Sequence, residues 1–191
     1  MDQVHIYIDF RDLNWACLKD DFSLPHIDLL IDNTTGYEIL SFMDKFLGYN
    51  QIQLAEEDQD KTSSTTLWGT YYYVVIPFNL KNAGATYQCA MMAIFHNMIH
   101  IDVEVYVDDI LVKSRTRAEH PRALARILQR SREHSLKMNP KKCVFGVSSD
   151  KLLGFIVSKR GIEIDPNKAK VIAEMPPPKN LKELRGLIGR L

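Results

Sequence analysis

"EVYVDDILVKS", residues 104–114, sets two adjacent aspartates, Asp108 and Asp109, inside a run that otherwise reads as strand. Repulsion between neighbouring carboxylates and the poor strand propensity of Asp both oppose that placement. A solvated turn is the plain explanation, because Asp accepts turn geometry. The flanks weaken it. "VEVYV" leads into the pair and "ILV" follows with no glycine, whereas tight hairpin turns favour Asn-Gly or Asp-Gly. The run predicts a hairpin whose turn is the aspartate pair, with apolar residues on both sides.

A second stretch compounds the charge. "YEILSFMDKF" (37–46) reads as a strand ending at Asp44, followed by Gly48 and Tyr49. If the two strand tips are neighbours in one sheet, three carboxylates converge, and without a cation they repel one another. Hard divalent ions with oxygen ligands relieve that repulsion, and Mg²⁺ takes one or two carboxylates together with substrate phosphates. Two such ions roughly 4 Å apart suit in-line displacement at phosphorus: one activates a 3′-hydroxyl, the other neutralises the leaving pyrophosphate.

The remaining chain supplies a frame for these tips. "VHIYIDF" (4–10) alternates as a strand, and its abrupt start suggests a truncated copy. "HIDLLIDN" after Pro25 predicts a short helix. "KTSSTTLWGTYYYVVIPF" (61–78) predicts a hairpin turning at Trp68-Gly69. Tyr87, Met91, Ile94, Phe95 and Met98 recur at helical spacing in "NAGATYQCAMMAIFHNMIH" (82–100). A further helix is expected over 119–138, with Pro121 in its first turn and Leu124, Ile127, Leu128 and Leu136 as its buried stripe. "LLGFIVS" and "GIEI" flank a tight turn at 159–161. Asp165-Pro166 opens a short helix, "PPP" (176–178) breaks it, and Asn180 with Glu183 resembles a capping box for a helix over 181–190. The order predicts an α+β fold, with helices on one face of an antiparallel sheet.

Composition narrows the class. The 191 residues are 46% hydrophobic and 25% charged, as expected of a soluble globular chain with a real core. No apolar run is long enough for a membrane helix, and the N-terminus does not read as a secretory signal. We therefore expect an intracellular location, cytoplasmic or nuclear. Three cysteines without a C-x-x-C pair disfavour zinc and a disulfide framework. Zero formal net charge disfavours strong autonomous nucleic-acid binding but leaves room for a locally basic groove.

Taken together, "SFMDKFLGYNQI", "PFNLKNAGATYQ", "YVDDILVKS", "LKMNPKKCVFG" and "LLGFIVSKRGIEI" resemble, in order and spacing, the reverse transcriptase of gypsy-class LTR retrotransposons of the plant type. The resemblance runs from "IDFRDLN" to "LKELRGLIGRL". It implies a right-hand polymerase: partial fingers over 1–18 and 52–83, palm over 19–51 and 84–163, and the incomplete start of a thumb or connection over 164–191. It implies RNA-directed DNA polymerisation with two Mg²⁺ ions, replaceable by Mn²⁺. Asp44, Asp108 and Asp109 would be the metal-binding catalytic carboxylates. Tyr49 would lie under the incoming sugar and exclude a 2′-hydroxyl. Phe78 and Asn79 would flank the nucleotide, and Lys142, with Lys141 beside it, would reach the pyrophosphate. Leu153 and Gly154 would form the primer-grip turn. The implied partners are RNA or DNA template-primer and dNTPs, with RNase H and integrase modules in the parent polyprotein.

Several positions depart from the family pattern. His5 stands where arginine is usual, and a neutral imidazole does not replace a charged bidentate fork. Arg11 is expected in a structural ion pair. Asn79 replaces a turn glycine, and Asn is the non-glycine residue that best tolerates positive φ. Leu67 replaces proline in a Ser/Thr-rich arm, and Val74 and Cys89 replace arginines. Against the family pattern these 191 residues lack most of the basic fingers segment and a complete thumb, so weak or no activity is expected of the isolated chain. The alternative is a non-catalytic remnant that at most binds nucleic acid. A palm of another phosphoryl-transfer class, such as a nucleotide cyclase, shares the metal logic, but "NAGATYQ" and "LLGF" argue against it.

Overall fold

Two apolar stripes, one on each face of a four-stranded sheet, organise the chain. The computed structural model describes residues 8–45, 48–164 and 166–189. Helices α1 (Arg11–Ala16) and α2 (Ile27–Asp32) precede strand β1 (Ile39–Asp44), and a 3-10 turn follows at Gly48–Gln51. The short helix α3 (Glu56–Gln59) leads into the hairpin of β2 (Ser64–Thr66) and β3 (Gly69–Tyr71). Helix α4 (Ala83–Phe95), strands β4 (Val103–Tyr106) and β5 (Asp109–Ser114), and helix α5 (His120–Glu133) form the centre. Strand β6 (Val144–Val147) completes the main sheet, whose order is β4-β5-β1-β6. Strands β7 (Ser149–Leu152), β8 (Phe155–Ser158) and β9 (Gly161–Ile164) make a three-stranded sheet, before α6 (Pro166–Ala173) and α7 (Leu181–Ile188).

The period-two alternation of the central strands sends side chains to both faces. Met43, Val103, Val105, Ile110 and Val112 pack against Tyr87, Met91 and Phe95 of α4 and Ala123 and Ile127 of α5. Tyr87, Met91 and Phe95 stand four residues apart on one helix face and are fully buried. Burial of each such side chain contributes about 1.5–3 kcal/mol. On the opposite face Leu40 and Leu111 meet Leu30 and Ile31 of α2 and Leu152 and Val157 of the small sheet. The α+β layering expected from the sequence is present, and its second face is covered as well. No helix among the described residues is long and apolar enough to cross a membrane.

Several local expectations need correction. Residues 4–7 of the expected first strand lie outside the described residues, as do His5 and Asp165, and residues 8–10 form no strand. The helix expected over 119–138 stops at Glu133, because Ser135 takes a left-handed conformation (φ 56°). Its buried face is Ala123, Ile127 and Ser131. Leu128, one step further round, is 40% exposed instead of buried. The β2–β3 turn is Leu67-Trp68, since Gly69 already pairs with Thr66. Other expectations are met. Asn180 Oδ1 accepts the Glu183 amide (2.9 Å), so the final helix has its N-cap. Arg11 pairs with Asp9 (2.6 Å).

Two buried polar clusters tie the layers together. Lys113 Nζ donates to Glu104 Oε1 (2.7 Å) and to the Asn33 carbonyl (2.6 Å), joining the sheet to the end of α2. Both side chains are almost wholly buried. Lys113→Met leaves the Glu104 carboxylate without its ammonium, and urea denaturation is expected to show a loss of about 3–5 kcal/mol. The second cluster is His120, set between the hydroxyls of Ser41 (2.6 Å) and Ser114 (2.9 Å). Burial pushes its imidazole below the usual histidine range. The unfolded chain therefore takes up this proton first, so the stabilisation is complete above about pH 6.5 and is lost as pH falls below it. Unfolding free energies from pH 7 to 5 are expected to drop more steeply in the natural chain than in His120→Asn.

Candidate active site

The site begins with strand register. β1 and β5 pair antiparallel, and Asp44 lies directly opposite Asp109. Like charges facing each other across a ladder destabilise it. The register is nevertheless fixed, because a one-residue slip would turn Leu40, Met43, Ile110 and Leu111 to the wrong faces. The loop after Met138 secures the tip of β1: the Asn139 amide donates to the Asp44 carbonyl (2.9 Å).

The hairpin turn is displaced by one residue from its expected place. Tyr106 pairs with Asp109, so Val107 and Asp108 form the two-residue turn and Asp109 opens β5. Val107 holds φ 46°, a conformation that a β-branched residue adopts at a cost. Two buried side chains fasten it. The Val107 amide donates to Gln88 Oε1 (2.6 Å), and the Val107 carbonyl accepts from Lys45 Nζ (2.8 Å). Gln88 also donates to the Val105 carbonyl (3.0 Å). The turn that carries Asp108 is thus clamped from α4 and from the end of β1.

Neither clamp was foreseen in the sequence. Gln88 follows Tyr87 on the apolar face of α4, and a polar residue beside that stripe is the available signal. Lys45 reads as an ordinary surface lysine, yet it is 4% exposed and its ammonium lies 4.4 Å from the centre of the Tyr87 ring. Burial pushes Lys45 down to about 7, against the pull of Asp108, Asp109 and Asp44.

The three carboxylates share one electrostatic environment. Loss of surrounding water raises Asp109, and repulsion from Asp44 and Asp108 adds to it. Loss of water also raises Asp108; Asp44 adds to this, while Lys45 and Lys142 oppose it. Lys142 Nζ stands 3.3 Å from Asp44 Oδ2. Among the described residues no three His, Cys, Asp or Glu side chains are gathered as a finished metal centre. Lys45 and Lys142 place positive charge near these carboxylates. The donor set still fits a hard divalent cation, since it is all carboxylate oxygen, crowded and mutually repelling.

The expected nucleotide-side residues lie beside this cluster. Tyr49 meets Phe78 edge-to-face (5.8 Å between ring centres) and Tyr87 likewise (5.4 Å). Burial raises the Tyr49 phenol, and Asp108 raises it further. Gly48 lies in close approach to the site: a Cβ there would overlap Asp108 Oδ1 and push that carboxylate aside. Asn79 takes the left-handed turn conformation (φ 72°), and its carbonyl accepts from Asn14 Nδ2 (2.8 Å). Leu153 and Gly154 form the β7–β8 turn with φ of 49° and 91°. Leu153 packs on the Leu40–Leu111–Leu152 cluster, which also carries Tyr106. The structure thus joins Asp44, Asp108, Asp109, Tyr49, Phe78 and Lys142 in one neighbourhood, whereas Leu153 packs on the cluster of the face opposite Tyr49 and Tyr87.

Comparisons with known proteins agree with this geometry. The retrovirus-related Pol polyprotein of transposon gypsy from Drosophila melanogaster is 34% identical over 184 residues, covering 96% of this chain and 18% of that protein. The Pol polyprotein of transposon opus from the same organism is 34% identical over 187 residues, and the chain covers 19% of it. The Tf2-3 polyprotein of Schizosaccharomyces pombe is 27% identical over 186 residues, 14% of its length. This chain therefore spans less than a fifth of these polyproteins. A foamy viral protease-reverse transcriptase in complex with double-stranded DNA superposes with a TM-score of 0.86 at 21% identity, over 95% of this chain and 32% of that one. The same enzyme with an RNA/DNA hybrid gives 0.82 over 95% of this chain and 25% of that one, again at 21% identity. These structures share the fold expected from the sequence, a polymerase palm in partial form. The profile described as reverse transcriptase (RNA-dependent DNA polymerase) matches residues 2–157, and the chain belongs to that family.

Proposed function

We propose that this chain is the polymerase core of a retrotransposon polyprotein and adds deoxynucleotides to a primer 3′-end on an RNA or DNA template. The observation that carries this reading is the cross-strand Asp44–Asp109 pair with Asp108 in the adjoining turn. Such an arrangement destabilises a sheet unless a cation is part of its working state. Asp44, Asp108 and Asp109 would hold Mg²⁺, as two ions, with Mn²⁺ able to substitute. Bound there, the metal would neutralise triphosphate charge and acidify the 3′-hydroxyl.

The chain's own residues do the positioning. Tyr49, braced by Phe78 and Tyr87, presents a flat wall beside Asp108 against which a deoxyribose fits and a 2′-hydroxyl does not. Phe78 and Asn79 close the nucleotide side. Lys142, now beside Asp44, would be free to meet the pyrophosphate if the carboxylates held a divalent ion. Leu153 and Gly154 hold the primer end. We assign 1–18 and 52–83 to partial fingers, 19–51 and 84–163 to palm, and 164–191 to the start of a thumb. RNase H and integrase modules belong to the same polyprotein in this reading, and the work is done inside the cell.

Primer extension tests it. With Mg²⁺ and an RNA template, the 191-residue chain extends a DNA primer slowly, and Asp108→Asn abolishes extension. Absence of extension from folded protein that binds Mg²⁺ would contradict the enzymatic reading and leave a nucleic-acid-binding remnant. Calorimetry adds a structural control. Gly48→Ala displaces the Asp108 carboxylate, so Mn²⁺ binding should weaken about tenfold while circular dichroism stays unchanged, and unchanged binding would show that Asp108 is not a ligand.

A further inference from the structure

Lys45 is a buried cation whose ammonium holds the turn carrying Asp108, at the tip where Asp44 faces Asp109, and whose charge acts on all three aspartates. It sits directly after Asp44 in sequence, 4% exposed, with its Nζ 2.8 Å from the Val107 carbonyl and over the face of Tyr87. The ring and the carbonyl fix its position, and the three carboxylates attract it. We propose that Lys45 is a built-in counter-ion that keeps the Asp44–Asp108–Asp109 cluster assembled without metal and opposes the divalent cation electrostatically. This rests on the assignment of those aspartates as metal ligands.

A buried ammonium beside three carboxylates relieves the repulsion that would otherwise splay them. The same charge repels an incoming dication through a medium less polarisable than water. Lys142 contributes too, but it is largely exposed and joined to Asp44 at 3.3 Å, so it swings into solvent at little cost. Lys45 has no such exit, because its stem is enclosed and its head is hydrogen-bonded to backbone. Its ammonium therefore stays at the site whenever it is protonated, and this makes Lys45 a determinant of how much metal the site demands.

Two substitutions separate charge from anchoring. Lys45→Met removes the charge and the bond to Val107, whereas Lys45→Gln removes the charge and keeps a donor. Mn²⁺ titration calorimetry on the full chain, with the rise in melting temperature at saturating Mn²⁺ as a second readout, is expected to show binding about tenfold tighter or more in both variants. Lys45→Gln also covers the case in which Lys45→Met does not fold. Affinities within twofold of the natural chain would overturn the proposal while leaving the aspartates as ligands. Weaker binding in Lys45→Met alone would also overturn it, reducing Lys45 to an anchor for the turn. No Mn²⁺ binding in the natural chain or either variant would overturn both this proposal and the ligand assignment. Binding that appears only once Lys45 is replaced, and is lost again on adding Asp108→Asn, would be its strongest support.

Discussion

Everything at this site depends on one pairing: two aspartates opposed across the β1–β5 ladder. That register is set by the apolar residues of the same strands, where Leu40, Met43, Ile110, Leu111 and Val112 are buried on two faces at once. A strand buried on both faces cannot slip by one residue without exposing half its apolar side chains. The hydrophobic layers thus impose an electrostatic conflict at the strand tips. The fold tolerates that conflict through a small number of specific contacts, and those contacts define the site.

Each contact has a separate origin in the chain. Gln88 comes from the helix that covers one face, Lys45 from the residue after the strand ends, Lys142 from a loop held to the Asp44 carbonyl, and Gly48 from the turn after β1. They converge because the sheet order β4-β5-β1-β6 places the turn before β5 beside the end of β1. The aromatic trio of Tyr49, Phe78 and Tyr87 grows from the same junction, so the aromatic wall and the carboxylates share a foundation. A change at α4 is consequently felt at Asp108 through a single buried amide.

Much of this was legible beforehand, for physical reasons that differ by element. The helix containing Tyr87, Met91 and Phe95 followed from its spacing, and β1 from its apolar run ending at an aspartate. The cap at Asn180 followed from its partner three residues on. The turn was misplaced by one residue because Val107 adopts a positive φ that no propensity would assign to valine. Its cause is tertiary: Gln88 and Lys45 hold the Val107 peptide from both ends. Leu128 was placed in the core from its apolar character, but the buried face of α5 follows Ala123, Ile127 and Ser131, two of them small. Lys45 was invisible, because a lysine beside an aspartate reads as surface until its burial is known. The neighbouring strand tips and a lysine at position 142 beside them were anticipated, but the buried Lys45 was not.

The account's central claim is that Asp44, Asp108 and Asp109 act as one cation site. Paramagnetic broadening by Mn²⁺ tests it most directly, in a ¹⁵N-labelled sample titrated from sub-stoichiometric metal. The account predicts that the amides of Asp44, Lys45, Gly48, Asp108 and Asp109 broaden first and together, and that Mg²⁺ in excess restores them. Broadening that begins at scattered surface carboxylates, with these five amides unaffected, would contradict it.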